Sequence, residues 1–591
     1  MLSKITYALC VALMFYASFV FYPAWKNKGT EAAIAWDVAG YYWYLPSVFI
    51  YRDVRHQSFS DSILNKYGNT PAFPGFRAEN GNYVLKYSSG MALMYLPFFT
   101  VANLLAGPLG FPEDGFSEPY EFAIQTGGLL IALLGLWYLR KLLLLFYSDT
   151  VVAVVLFALV FGSNFLNYGA VGCGMSHCWL FTVYVFIILN TINFYKRPSY
   201  KYAVRIGLLI GLAVLTRPTE IISCLIPLLW GLESLSIAAI KQRISFLSIQ
   251  IGKILLTVVC AFFVISIQLI YWKYVSGHWL VYSYQDQGFS WLFQNIFNYT
   301  LSFHSGWLIY APMLFFAFIG IIPFIKKGQN KVAILIFFLL NYYIVSAWDI
   351  WWYGGRAMIQ SYPVLMFPFA SLVDATIHSR KLKWIFAPFF ILFLYFNIWI
   401  TYHYHKGSMY DFDSMTKEYF LRVVGRWSVP PETIKLRDTR ELFEGTPKAM
   451  KLLYTNDLEH DTGLYCPVPA IEGKKSVCLD KDHQHSEKYA FSYSSHDAEW
   501  IRGQASFRCT VKESETWSMP RFNIFFRDKG NTIKAYGIRV HRFLENGETK
   551  DIYFDIKVPI GDFDSVGVEL DNSGSNKALL MDNIKVWSFR E

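Results

Sequence analysis

The sequence predicts a polytopic α-helical membrane domain followed by a C-terminal β-sandwich outside the membrane. Of the 591 residues, 54% are hydrophobic and only 16% are charged, whereas soluble domains carry about 25% charged residues. Apolar runs of about 20 residues, long enough to cross a bilayer, recur as far as Tyr402. Beyond that point, short runs with alternating polarity take their place, a pattern typical of strands.

The apolar runs predict 11 membrane spans with the N-terminus in the cytoplasm. These spans lie near 5–24, 121–145, 149–168, 177–195, 203–217, 219–238, 249–274, 306–325, 332–348, 357–376 and 384–402. Lys and Arg cluster at every second junction, and such clusters mark the cytoplasmic side. They account for the net charge of +9, so the charge does not indicate nucleic-acid binding. The weakly basic start, MLSK, and the absence of a small-residue cleavage site predict that the first span is retained.

One further apolar run, at 91–111, does not fit this count. Taking it as a span would move every later basic cluster to the outer side, and Pro97, Gly107 and Pro108 interrupt it. We therefore expect a surface-lying or re-entrant helix. The first outer loop then covers 25–120, and a loop of this length with structure of its own is usually functional.

The part after the last span divides into a connector and a β-domain. Residues 403–455 are expected to form a partly helical connector, which ends the membrane domain at 402. Residues 456–591 predict a jelly-roll-like sandwich, because alternating runs are separated by turn residues such as those at 528–530. The domain either binds glycan or serves as a spacer. A disulfide between Cys466 and Cys478 is expected on the oxidising side of the membrane, with Cys509 left free.

Asp37 is the candidate catalytic base. It follows the first span in an aromatic-rich stretch, AAIAWDVAGYYWYLP, where a carboxylate at the membrane surface could act on a lipid-borne substrate. The alternative is a solvated loop acid.

Three basic residues are candidates for holding a phosphate on the same side. Lys86 lies in NYVLKYSSG, Arg217 in LTRPTE and Arg356 in WWYGGR. Two glycines before Arg356 allow close backbone approach, and a guanidinium can hold a phosphate through two hydrogen bonds. Lys86 could instead extend its amine along the interface, and Arg217 could pair with Glu220 rather than with an anion.

Aromatic and imidazole side chains near these residues are candidates for sugar or acceptor binding. They are Tyr41, His304, Trp351 and Trp352. The tryptophans also suit an aromatic belt at the membrane surface. His177, at the start of the fourth span, is expected to be a hydrogen-bonding packing residue.

A carboxylate with three cations on one side of a membrane suits group transfer from a phospholipid-like donor. The order of these motifs over residues 1–400 resembles the GT-C glycosyltransferases, and more specifically the bacterial relatives of the protein O-mannosyltransferase and aminoarabinose transferase group. The resemblance implies an inverting transferase that uses a polyprenyl-phosphate sugar. Asp37 matches the catalytic acid of the first loop, and Lys86 matches the basic residue before the family's double proline.

Two positions depart from the family pattern. Many relatives carry a second acid beside the first, but Val38 follows Asp37, so a divalent metal would need Glu79 or Asp53 as a further ligand. Ser88 and Ser89 replace the double proline, which leaves the loop geometry open.

The expected protein is thus a transferase of the bacterial inner membrane with a periplasmic C-terminal domain. Its partners would be a polyprenyl-phosphate-sugar donor, membrane lipids and an acceptor that is a protein, a glycolipid or a polysaccharide. The alternatives are a multi-span transporter or lipid flippase and a non-catalytic anchor for a glycan-binding domain. Transporters place their charged sites near the bilayer midplane, whereas the candidate charges here lie at outer ends of spans.

Overall fold

The computed structural model divides the chain into two compact units, Met1–His405 and Lys406–Glu591. It describes residues 1–285, 287–291, 295–348, 352–407, 409–410, 414–460, 468–513 and 516–591. The predicted change from helices to strands is confirmed, since the first unit is almost entirely helical and the second is built from two antiparallel sheets.

The first unit contains 18 α-helices and one short hairpin within the described residues. The helices are α1 (Leu2–Tyr16), α2 (Trp36–Tyr42), α3 (Tyr44–Phe49), α4 (Ser60–Tyr67), α5 (Gly90–Ala106), α6 (Glu118–Leu143), α7 (Asp149–Gly162), α8 (Ser176–Lys196), α9 (Tyr200–Thr216), α10 (Leu225–Leu229), α11 (Ile237–Ile249), α12 (Ile251–Ser276), α13 (Ile296–Leu301), α14 (Trp307–Tyr310), α15 (Phe315–Lys327), α16 (Lys331–Ala347), α17 (Tyr362–Ile377) and α18 (Arg380–His405). Strands β1 (Gly75–Arg77) and β2 (Tyr83–Leu85) form the hairpin.

Among the residues that the structure describes, five helices of this unit are long and apolar enough to cross a membrane. They are Leu2–Lys26, Glu118–Leu143, Ser176–Lys196, Ile251–Ser276 and Arg380–His405. Four shorter apolar helices cover Gly90–Ala106, Asp149–Gly162, Pro218–Leu229 and Lys331–Ala347. The chain therefore has the helices of a membrane protein, and the count of 11 spans stays a prediction.

Two predicted apolar segments have a distinctive local structure. The run at 91–111 forms α5, which ends at Ala106 and packs against α6. The predicted span at 219–238 is not one helix, because a 3-10 segment, Pro218–Cys224, leads into the five-residue α10. Pro218 removes a backbone donor directly after Arg217, which is a physical reason for the break.

The second unit combines a connector with two sheets around one apolar core. Its elements are α19 (Lys417–Val423), β3 (Lys448–Asn456), β4 (Val477–Leu479), β5 (Tyr489–Ser492), β6 (Trp500–Cys509), β7 (Arg521–Asp528), β8 (Asn531–Arg539), β9 (Thr549–Lys557), β10 (Ser565–Asp571) and β11 (Leu579–Arg590). One sheet has the order β5-β10-β7-β8; the other has β3-β11-β6-β9, with β4 also paired to β11. Strand β3 thus begins at Lys448, within the segment that the sequence assigns to the connector.

Apolar side chains of both sheets meet in the core of this unit. Phe507 of β6 and Phe522 of β7 are fully buried with ring centroids 5.2 Å apart. The turn between β7 and β8 places Lys529 and Gly530 at positive φ, the geometry that suits a two-residue hairpin. Cys478 is disulfide-bonded and Cys509 is a free thiol, whereas the predicted partner Cys466 lies outside the described residues.

Candidate functional site

Asp37 lies in the first turn of α2, in the segment predicted to be the first outer loop. The helix buries Val38 to Tyr42 and leaves the Asp37 carboxylate about one-fifth exposed, with 22% of its side chain accessible. Gly40 is needed for close packing here, since a Cβ at this position would lie 2.4 Å from the ring of Tyr87. Asp37 is therefore held against the segment that carries Lys86 and Tyr87.

Both carboxylate oxygens of Asp37 have a partner. Arg356 Nη2 donates to Oδ2 at 2.6 Å, and the Tyr87 hydroxyl donates to Oδ1 at 2.5 Å. Burial and the nearby Asp37 carboxylate raise the pKa of Tyr87 well above its usual value. The phenol therefore keeps its proton and remains a donor. The pair of Asp37 and Arg356 is 319 residues apart in the chain, and each side chain remains about one-fifth exposed.

Arg356 is positioned by a tight backbone turn in the 3-10 segment Tyr353–Ser361. Gly354 and Gly355 both adopt left-handed conformations, with φ of 59° and 58°. Asn164 donates to the Gly354 carbonyl at 2.7 Å, and the Tyr299 hydroxyl donates to the Gly355 carbonyl at 3.0 Å. A non-glycine residue would cost about 1–2 kcal/mol at each position. The two glycines of the motif are thus explained by backbone geometry.

Arg217 belongs to a buried polar chain next to this site. Its Nη1 lies 3.3 Å from His177 Nδ1, which lies 3.2 Å from Gln360 Oε1. Gln360 and Tyr184 in turn donate to the Glu220 carboxylate at 3.1 and 2.5 Å. In the part of the chain that the structure describes, Glu220 takes its hydrogen bonds from Tyr184 and Gln360, and Arg217 acts on its carboxylate electrostatically. His177 is buried and lies between Arg217 and Gln360, in agreement with the expected hydrogen-bonding packing residue.

Lys86 is connected to the same site through three tyrosines, which we call the tyrosine cluster (Tyr41, Tyr87 and Tyr284). Ring centroids are 4.6 Å apart for Tyr41 and Tyr87, and 5.9 Å apart for Tyr87 and Tyr284. Lys86 Nζ lies 5.7 Å from the Tyr87 ring and 5.6 Å from the Tyr284 ring. Asp37, Arg217 and Arg356 all act electrostatically on Tyr284 and Tyr41. Asp37 and Lys86 therefore contact this cluster, Arg356 is joined to it through Asp37, and Arg217 lies near enough to act on it electrostatically.

The Ser88–Ser89 step is tightly packed against the end of α9. Both serines are buried, and the Ser89 backbone N–H donates to Gln268 Oε1 at 2.9 Å. At the adjacent Gly90, a Cβ would lie 2.4 Å from the backbone nitrogen of Thr216. This contact brings the segment of Lys86 beside the residue that precedes Arg217.

The other candidate residues have varied positions. Tyr41 is buried in the tyrosine cluster, and the Trp352 ring centroid lies 5.3 Å from Arg356 Cζ. His304 is half-buried in the turn between α13 and α14, where its backbone N–H donates to Ser302 Oγ at 3.0 Å. Trp351 lies outside the described residues.

The surroundings of Asp37 do not fit a divalent metal ion. Its oxygens already meet a guanidinium and a hydroxyl, and Asp53 accepts hydrogen bonds from His56 and Ser58 in its own loop. Glu79 is exposed at the tip of the β1–β2 hairpin. Among the residues with described positions, no group of three or more His, Cys, Asp or Glu is placed to hold a metal.

Several of the contacting residues were absent from the sequence prediction, among them Tyr87, Tyr184, Tyr284 and Gln360. Tyr87 directly follows Lys86, so its position in LKYSSG could have indicated that it lies at the site. Gln360 carried no such signal, since an isolated amide in an apolar stretch does not indicate a partner. The site thus combines the accessible Asp37 carboxylate, three cations from separate segments and the tyrosine cluster.

Comparisons with known proteins identify low similarities only. No family model matches the sequence, and no curated protein matches it. An oligosaccharyltransferase of Archaeoglobus fulgidus in the apo form is 12% identical, with a TM-score of 0.40 over 68% of this chain and 54% of that chain. The VP2 subviral particle of infectious bursal disease virus is 12% identical, with a TM-score of 0.17 over 24% of this chain and 33% of that chain. The chain thus spans about half of the oligosaccharyltransferase and a third of the viral protein, and these values leave its family open.

Proposed function

We propose that this protein is an inverting membrane glycosyltransferase that moves a sugar from a polyprenyl-phosphate donor to an acceptor hydroxyl. The observation that carries the proposal is the accessible Asp37 carboxylate bonded to Arg356, with Lys86 beside the adjoining tyrosines and Arg217 acting electrostatically on them. A carboxylate beside several cations suits a reaction that removes a proton at one atom and releases a phosphate at another.

The reaction assigns a role to each side chain. Asp37 takes the proton of the acceptor hydroxyl as its oxygen forms a bond to the anomeric carbon of the sugar. The bond from that carbon to the phosphate oxygen breaks, and the electron pair leaves with the polyprenyl phosphate. Arg356, Arg217 and Lys86 would stabilise the charge that develops on this leaving group. Attack opposite the leaving group inverts the anomeric configuration.

The substrate groups follow from the same site. The tyrosine cluster and Trp352 offer aromatic faces on which a sugar ring can stack. His304 is the candidate for acceptor binding. The donor would reach the site from the bilayer, since the surrounding helices are apolar. The acceptor is a protein hydroxyl, a glycolipid or a polysaccharide. We place the enzyme in a bacterial inner membrane, with the second unit on the periplasmic side.

The test is a transfer assay in proteoliposomes with a radiolabelled polyprenyl-phosphate sugar, comparing wild type with Asp37→Asn. We expect Asp37→Asn to retain donor binding and to lose at least about 100-fold in turnover, the lower range for a general base. Asp61→Asn is the matched control, because Asp61 is an exposed acid in α4 of the same loop. Wild-type turnover in Asp37→Asn would remove the carboxylate from the mechanism. Movement of labelled lipid across the bilayer without sugar transfer would favour a flippase.

A further inference from the structure

The contact between Asp37 and Arg356 has a consequence for the order of events at the site. The Arg356 guanidinium, proposed to bind the donor phosphate, is engaged by the carboxylate that is proposed to act as base. While this pair exists, Arg356 occupies Oδ2 of Asp37 and Tyr87 occupies Oδ1, so each carboxylate oxygen already has a donor in the place where an acceptor hydroxyl would bind. The ion pair therefore restrains both groups while it exists.

We propose that the Asp37–Arg356 ion pair is the resting lock of the site, and that the donor phosphate opens it by taking Arg356 from Asp37. The inference rests on the proposed function and assigns its regulation: the base is released only when donor is bound. A phosphate oxygen can replace the carboxylate oxygen because a guanidinium binds both anions with the same donor geometry.

Two features of the site permit the exchange. Both side chains of the pair are about one-fifth exposed, at 19% for Arg356 and 22% for Asp37, so an incoming anion can reach them. Tyr87 holds the other carboxylate oxygen of Asp37 at 2.5 Å. Asp37 therefore keeps its position when Arg356 leaves, and its freed oxygen is the one that would face the acceptor.

Opening the ion pair has a cost in free energy. Because Asp37 and the phosphate compete for one guanidinium, the free energy of breaking the ion pair is subtracted from donor binding. Removing the carboxylate charge should therefore strengthen phosphate binding, although it abolishes catalysis. Couplings of this kind commonly amount to 5-fold or more in affinity.

The experiment measures binding of a polyprenyl monophosphate to the purified full-length protein in nanodiscs, with the matched polyprenol as the uncharged control ligand. We expect Asp37→Asn to bind the monophosphate at least about 5-fold more tightly than wild type, with unchanged binding of polyprenol. Arg356→Gln should bind it more weakly. Asp61→Asn, the exposed loop acid, should match wild type.

The double variant Asp37→Asn/Arg356→Gln separates competition from general repulsion. If the two anions compete for Arg356, removing Asp37 in the Arg356→Gln background gives no gain in affinity. If Asp37 merely repels the phosphate, the same gain appears with or without Arg356, and the lock is refuted. Equal affinity of wild type and Asp37→Asn refutes it as well.

These outcomes are distinct from failure of the proposed function. If wild type transfers sugar and Asp37→Asn does not, but the affinities show no competition, only the lock is wrong. If wild type binds neither the monophosphate nor the sugar-loaded donor, the proposed function itself fails.

Discussion

Replacing Tyr87 by phenylalanine tests whether the fixed orientation of Asp37 contributes to catalysis. The substitution removes one hydroxyl, and with it the 2.5 Å hydrogen bond to Asp37 Oδ1. The ring remains, so its contacts with Gly40 and Tyr41 and the nearby Lys86 amine are retained. The change therefore isolates the hydrogen bond from the packing.

The expected magnitude follows from the charge of the acceptor. Hydrogen bonds to charged groups contribute about 1.5–3 kcal/mol, which corresponds to a factor of about 10–150 in rate if the bond matters in the transition state. We expect the substitution to lower kcat by a factor of about 10–150. The KM for donor should change less, because Tyr87 is not placed in the phosphate-binding set. An equal loss in kcat and kcat/KM is the pattern for an interaction that acts in the transition state.

The assay is sugar transfer under saturating donor, with Tyr51→Phe as the matched control. Tyr51 also donates a hydrogen bond in the first outer loop, to the Asp114 carbonyl at 3.1 Å, and has no contact with Asp37. Turnover of Tyr87→Phe within about 2-fold of both wild type and the control would refute the orienting role. The hydrogen bond would then be a structural contact only.

Two further predictions concern the backbone of the site and the second unit. Gly355→Ala should lower stability by at least about 1–2 kcal/mol and reduce transfer, because φ is 58° and its Cβ would lie 2.6 Å from Trp307 Cβ; a thermal unfolding midpoint equal to that of Gly252→Ala, a helical control, would contradict this. Burial lowers the pKa of His541 to about 4 from 6.5. The unfolded chain therefore takes up a proton first as the pH falls, and the second unit should lose up to about 3 kcal/mol between pH 6.5 and pH 4. Hydrogen exchange of β8 and β9 peptides in the full chain, compared with His541→Gln, measures this, and an identical pH dependence in the two proteins would refute it.

Secondary structure could be predicted from this sequence more fully than the contacts between distant residues. Runs of apolar residues account for the long helices α6, α8, α12 and α18, because length and composition alone determine whether a helix can span a bilayer. Alternation and turn residues similarly account for strands such as β7 and β8 around Lys529 and Gly530. Both signals are local, and a local signal can be read from one segment at a time.

The segment at 219–238 shows where that method fails. Its composition is apolar enough for a span, but Pro218 and the following 3-10 turn leave only the short α10. Glu220 is buried in this turn, where Tyr184 and Gln360 satisfy its carboxylate. Side chains on other segments thus stabilise an irregular backbone. Hydropathy alone predicts a continuous helix for the same residues.

The candidate site shows the same division between local and distant information. Asp37, Arg217 and Arg356 could each be selected from their own motifs, an acid in an aromatic-rich stretch, an arginine before a proline and an arginine after two glycines. Their pairing could not, since the partner of Asp37 lies 319 residues away. From the sequence alone, Arg356 is predicted to bind phosphate and Asp37 to act as a base, as two separate roles.

The contact between them changes how a single acid can work at this site. Val38 follows Asp37, so the neighbouring position in the chain supplies no second acid. A lone carboxylate needs something else to fix its orientation and to balance its charge before substrate arrives. Tyr87 supplies the first through Oδ1, and Arg356 supplies the second through Oδ2. Because the phosphate of the proposed donor is an alternative anionic partner for the arginine, binding of that donor can open the pair and leave Asp37 held by Tyr87.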